Sequence, residues 1–257
     1  MFADLFDYLG SAANWTGADG IPIRLAEHLQ YTVLTLLIAF VIAFPLGLLI
    51  GHTGKGAFLA INIGNAGRAL PTLGLLILLV LLMTLGVVPV LIALVILAIP
   101  PILTSTYAGI RSVEPDIVDA ARGMGMHERQ TLFKAELPAA LPVIVGGLRT
   151  ATLQVVSTAT VAAYVGLGGL GRLLIDGQAQ RNYTEMLAGA VIVAVLAIVL
   201  DVAFVGLKFV AAPGGLAARR SAQEHDERAA GRGRDAASAR DQAVAAPAGG
   251  PGGSGHA

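Results

Sequence analysis

The sequence predicts an all-α fold, a polytopic membrane bundle of five transmembrane helices, and three observations lead there. Of 257 residues, 55% are hydrophobic and only 13% charged, with a mean hydropathy of +0.74, more apolar than a soluble domain can cover with polar surface. The few charges fall between long apolar runs. One such run, the 42 residues from Ala69 to Ile110, carries no charge at all. As one helix it would be roughly 63 Å long, about twice the hydrocarbon core of a bilayer, so it must fold back once.

Met1 to Leu9 carries Asp4 and Asp7 where a cleavable signal would be basic, so the first long apolar run is expected to remain as an anchor. Phe2, Leu5, Phe6 and Leu9 have i, i+3, i+4, i+7 spacing. With Trp15 they predict a short helix on the outer membrane interface; an unanchored terminus is the other reading. Tyr31 to Ile50, 20 uncharged residues, is span one. Gly86 and Pro89 mark the reversal in the long apolar run, placing span two at Ala57 to Met83 and span three at Val87 to Ile110. Span four, Val143 to Val165, and span five, Met186 to Val210, flank the Gly-rich segment 166–185. The expected organisation is an N-terminal extracytoplasmic segment (1–29), a transmembrane domain (30–212) with a polar loop at 111–142, and a tail (213–257). That tail has too little apolar area to offset the entropy of ordering and is expected to be disordered.

Short-loop charge sets the orientation. Lys55, Arg111, Arg122, Arg129, Lys134, Lys208, Arg219 and Arg220 fall on one side, and only Arg24, Arg172 and Arg181 on the other. The 111–142 loop and the C-terminus are therefore expected in the cytoplasm and the N-terminus outside.

Several chemistries have no support. Lys plus Arg and Asp plus Glu are each 17, which gives nucleic acid nothing to bind, and the absence of cysteine removes thiol chemistry. Gly166-Leu167-Gly168-Gly169-Leu170-Gly171 fits a dinucleotide fingerprint in letters but follows a membrane span instead of a strand. Gly51 to Gly56 lacks the spacing and the Ser or Thr of a P-loop. His28, His52, His127, His225 and His256 show no metal-ligand spacing, and no Gly-x-Ser-x-Gly elbow is present. The chain is expected to have no catalytic residue, metal or cofactor of its own.

The informative stretch is Asp119-Ala120-Ala121-Arg122-Gly123-Met124-Gly125, nine residues, then Ala135-Glu136-Leu137-Pro138. It predicts two short helices broken at Gly125 and stopped at Pro138; on spacing alone it also fits an ordinary helical loop with surface charges. The stretch resembles the coupling motif of binding-protein-dependent ABC importer permeases, E-A-A-x3-G-x9-I-x-L-P. Asp119 replaces the Glu, Ala120, Ala121, Gly125, Leu137 and Pro138 match, and Ala135 stands where Ile is preferred. The resemblance extends over about Glu27 to Val210. Asn65 to Thr72, Tyr107 to Val113, Gly123 to Met126 and Gly166 to Gly171 are most similar to the osmoprotectant (glycine betaine, carnitine, choline) permeases; methionine-importer permeases share the broader pattern.

That resemblance implies the methionine-importer type of fold and a coupling loop at Asp119 to Pro138 that docks on a cytoplasmic ABC ATPase dimer binding ATP and Mg. It also implies a second permease subunit, identical or sibling, and an extracytoplasmic solute-binding protein, all in the bacterial cytoplasmic membrane and its lipid. Inside the spans Arg68, Arg149 and Asp201 need an explanation, because charge there is costly. Snorkelling accounts for Arg149 and Arg68, with Asp201 a structural partner for one of them. Thr150, Gln154, Ser157 and Tyr164 lie at offsets 0, 4, 7 and 14 on one face of span four. With Arg68 they are the candidate translocation path, since the resemblance implies that this helix lines the route between two subunits; interhelical hydrogen bonding is the alternative use. Three competing functions are a permease for methionine or another amino acid, an ion-coupled secondary transporter, and a membrane anchor. The second would need more intramembrane carboxylates than Asp201 and an internal repeat.

Overall fold

The structure, a computed structural model, describes residues 2–211; the predicted disordered tail lies outside the described residues. The described residues are helical and contain no strand. Helix α1 (Phe2–Gly10) and a 3-10 turn (Ala12–Trp15) precede α2 (Ile21–Thr53). Helix α2 starts ten residues before the uncharged run, because Gly20 and Pro22 initiate it ahead of Arg24, Glu27 and His28. It ends at Gly54, a left-handed cap whose N–H donates to the Ile50 carbonyl.

Span two departs from expectation. Ala57 to Met83 is two helices, α3 (Ala57–Ala69) and α4 (Thr72–Met83), bent by 94°. Pro71 has no N–H to continue α3 and drives Leu70 to an extended ψ of 122°, so the helix must restart. Four helices are long and apolar enough to cross a membrane, and the bent pair makes five if its halves act as one span.

Helix α5 (Val87–Arg111) is the hub, with Val90, Leu94, Ala98, Ile102, Leu103 and Ile110 buried along its length. Its neighbours approach through small residues, as membrane helices do when van der Waals packing supplies the attraction. A Cβ on Gly47 of α2 would lie 2.6 Å from the Thr106 Cβ, and one on Gly51 2.7 Å from the Ile110 Cβ. Gly147, on the fourth span, meets Ser105 in the same way at 2.1 Å. Helices α2 and α3 pack on one part of α5 around Ala43, Ala60 and Ala98; α4 packs on its first turns around Leu76, Val90 and Leu94.

After α5 come α6 (Pro115–Gly123) and α7 (Glu128–Gln130), which passes through a π-turn (Thr131–Glu136) into α8 (Leu137–Ala159). The expectation that Pro138 stops a helix is therefore corrected: Pro138 sits in the first turn of α8 and Pro142 lies inside it. The wider turn that contains Lys134, four residues before Pro138, leaves room for that proline's ring, so the helix continues across a site that should break it. A 3-10 segment (Thr160–Val165), helix α9 (Gly171–Ala179) and α10 (Tyr183–Ala211) complete the bundle.

Candidate functional site: the coupling loop and the α8 face

Helix α6 begins with Pro115 and Asp116 and ends with Arg122, charges that suit the two ends of its dipole. The chain then reverses at Gly125, whose φ of 83° is left-handed. The turn is closed by the Gly125 N–H donating to the Arg122 carbonyl at 2.9 Å and the Met126 N–H donating to the Ala121 carbonyl at 3.2 Å. The His127 N–H, donating to Gln130 Oε1 at 3.1 Å, starts α7. Of the six residues predicted to couple, Asp119, Ala120 and Gly125 lie on the surface, beside the 73% exposed side chain of Met124. Ala121 is buried beneath them. Leu137 packs with Leu48, Ile110 and Ile144, and Pro138 is half-buried. The motif thus divides into a presented face and the residues that seat it.

Four side chains that the sequence reading did not connect sit behind this loop. His52, in the last turn of α2, has Nδ1 2.7 Å from Glu136 Oε2 and Nε2 3.2 Å from Glu128 Oε2. Arg122 donates to the same Glu128 oxygen at 3.1 Å, and that hydrogen bond holds its guanidinium above the ordinary arginine value. No spacing signals this cluster, because His52 and Glu136 are 84 positions apart.

At the other end of the bundle the Gly-rich segment has a packing role. The Gly169 N–H donates to Glu27 Oε2 at 2.7 Å, and a Cβ on Gly168 would lie 2.0 Å from that oxygen. Arg24 pairs with Glu27 at 3.1 Å and also with Asp19. His28 is wholly buried, with Nε2 3.0 Å from the Val156 carbonyl. The charged turn of α2 thereby finds partners in α2 itself, in Asp19 before it, in α8 and in the 166–171 segment.

Of the candidate path residues, Thr150 and Ser157 are exposed and Gln154 is half-buried on one face of α8. Tyr164 lies in the 3-10 segment that follows α8 and is 59% exposed. The hydroxyls of Thr150, Thr152, Ser157 and Thr160 all donate to carbonyls of their own helical segments. Among the described residues none of these four hydroxyls donates to another helix. Arg149 and Asp201 form a two-pronged pair, Nε to Oδ1 at 2.5 Å and the terminal nitrogen to Oδ2 at 2.7 Å, that ties α8 to α10. Asp201 is thus the partner of Arg149. A cleft of about 310 Å³ opens beside this pair, lined by Arg149, Thr150, Leu153, Phe204 and Lys208 among others. Arg68 lies in α3, and its side chain is outside the described residues.

Broken and proline-bridged helices around a glycine-packed hub, with a short helical loop projecting between α5 and α8, define a membrane transport component. The chain matches the binding-protein-dependent transport system inner membrane component over residues 27–213 and belongs to that family. It is 34% identical over 186 residues to the choline transport system permease protein OpuBB of Bacillus subtilis, covering 72% of this chain and 86% of the relative. To the carnitine transport permease protein OpuCD of Listeria monocytogenes it is 37% identical over 177 residues, covering 68% and 79%. The fold is also that of the inward-facing MetNI methionine ABC transporter, with a TM-score of 0.67 at 23% identity over 75% of this chain and 96% of that one.

Proposed function

We propose that the chain is the permease subunit of an ATP-driven importer of quaternary ammonium compatible solutes, the class containing choline, carnitine and glycine betaine. The observation that carries the reading is the surface of α6 and the reversal after it, where Asp119, Ala120, Met124 and Gly125 are exposed. A short helix of this kind suits the groove of a partner, and the family's dependence on a binding protein and the names of the relatives supply the rest. A likeness to MetNI at 23% identity speaks for the fold alone, so methionine is the second substrate reading.

In this reading the loop faces the cytoplasm, docked on an ABC ATPase dimer that binds ATP and Mg, and residues 1–29 face outward with the solute-binding protein. Two permease subunits, identical or sibling, place the α8 faces carrying Thr150, Gln154 and Ser157 along the route between them. ATP-driven closure of the ATPase moves α6, and the spans alternate between inward and outward openings. The ion pair between Arg149 and Asp201 holds α8 and α10 together during that movement.

The test is uptake by the chain expressed with its ATPase and binding protein in a strain deficient in compatible-solute import. Growth at high salt should be restored when choline, carnitine or betaine is supplied. Methionine uptake with no quaternary-amine uptake would transfer the assignment to the second reading.

A further inference from the structure

Glu136 is the residue between the two halves of the coupling motif's closing segment, and its side chain is only 6% exposed. A carboxylate removed from water needs a partner, and among the described residues His52 supplies one, Nδ1 at 2.7 Å, from a different helix. The other ring nitrogen faces Glu128 Oε2 at 3.2 Å, and that oxygen also accepts from Arg122 of α6. Both ring nitrogens therefore face carboxylate oxygens. The chain of contacts runs without a gap from α6 through α7 to the last turn of α2 and back to the π-turn.

The far side of His52 is equally fixed. Its neighbour Gly51 lets α2 lie against α5 so closely that a Cβ would be 2.7 Å from the Ile110 Cβ. A displacement of α6 thus reaches α2 through the contacts of Arg122, Glu128 and His52, and α5 through the close packing of Gly51 on Ile110. The apolar cluster of Leu48, Ile110, Leu132, Leu137 and Val113 also joins the loop to the bundle, but apolar contact is non-directional and permits sliding.

We infer that His52 is a positioning residue for energy coupling: it sets the register of the coupling loop on the first span, with Glu136 and Glu128 as its two partners. The inference rests on the reading of α6 as the ATPase contact. It assigns a role to a residue far from the motif in sequence, and to Glu136 at a motif position with no stated preference.

The experiment uses the full complex of permease, ATPase and binding protein in proteoliposomes, with choline as the probe, and reads solute imported per ATP hydrolysed. His52→Leu should leave ATPase co-purification at the level of the unaltered chain while lowering that ratio about tenfold, the order of a typical coupling free energy. His52→Gln keeps a donor for Glu136 and should recover part of the ratio. The double variant His52→Leu with Glu136→Gln should be no worse than His52→Leu alone, because the two residues act as one unit. An unchanged ratio in His52→Leu overturns the inference, as does equal loss of assembly and ratio in all three variants, which would mark a purely structural role. Cross-linking of Asp119→Cys to the ATPase separates the two levels. Cross-linking with an unaffected His52→Leu leaves the docking reading intact and sinks the role of His52, whereas no cross-link sinks the docking reading and this inference with it.

Discussion

Substitution of Gly125 by valine isolates backbone strain from packing. An ideal Cβ at Gly125 meets no heavy atom within 4 Å, so the side chain itself has room. What remains is the φ of 83°, which a β-branched residue adopts only at a cost of about 1–3 kcal/mol. That cost lowers the population of the observed reversal by roughly 5- to 150-fold relative to turns with negative φ. Any such relaxed turn loses the bonds from Gly125 N–H to Arg122 and from Met126 N–H to Ala121, and with them the angle between α6 and α7. The spans are packed around α5 without any contribution from this turn, so Gly125→Val should insert and purify normally. Measured in liposomes, uptake should fall by at least fivefold and ATPase co-purification should drop with it. Gly125→Asn, whose residue tolerates the left-handed region, should retain most activity. Gly123→Ala, with open space around its Cβ and no left-handed φ, should be neutral. Undiminished coupled uptake by Gly125→Val would refute the argument that this reversal sets the docking geometry.

Gly51→Val should destabilise the seam between α2 and α5 by about 1–3 kcal/mol through overpacking against Ile110, read as an earlier thermal unfolding transition of the detergent-solubilised chain. Gly168→Ala should be milder than Gly171→Ala in the same assay: the first displaces the end of the flexible Glu27 side chain, whereas the second drives a Cβ to 2.0 Å from the Thr160 backbone carbonyl. Impermeant thiol labelling in intact cells should reach Gln180→Cys, at the exposed end of α9, and miss Gln130→Cys; the reverse pattern would invert the proposed orientation. The position at Gly177 is a poor reporter, because it is buried against Met186.

The apolar runs alone determined that this chain is a helical membrane protein. The requirement that backbone groups be satisfied inside a bilayer leaves few alternatives for uncharged stretches such as Tyr31 to Ile50. Residue type alone also determined the reversal at Gly125, since a conformational demand that local belongs to one residue. Tertiary structure decided the rest. Arg24, Glu27 and His28 read as a polar lead-in but lie within α2, where Asp19, the Gly169 N–H and the Val156 carbonyl give each of them a partner. Pro138 reads as a stop, yet the π-turn before it lets the helix continue. The sequence left Asp201 as a partner for either Arg149 or Arg68, and only the packing of α8 on α10 makes Arg149 that partner. His52 and Glu136, 84 positions apart, carry no pattern that joins them. Periodicity and residue type report the free energy of a local segment, whereas the partner of a buried charge depends on which helices meet, and that is settled by packing across the whole bundle.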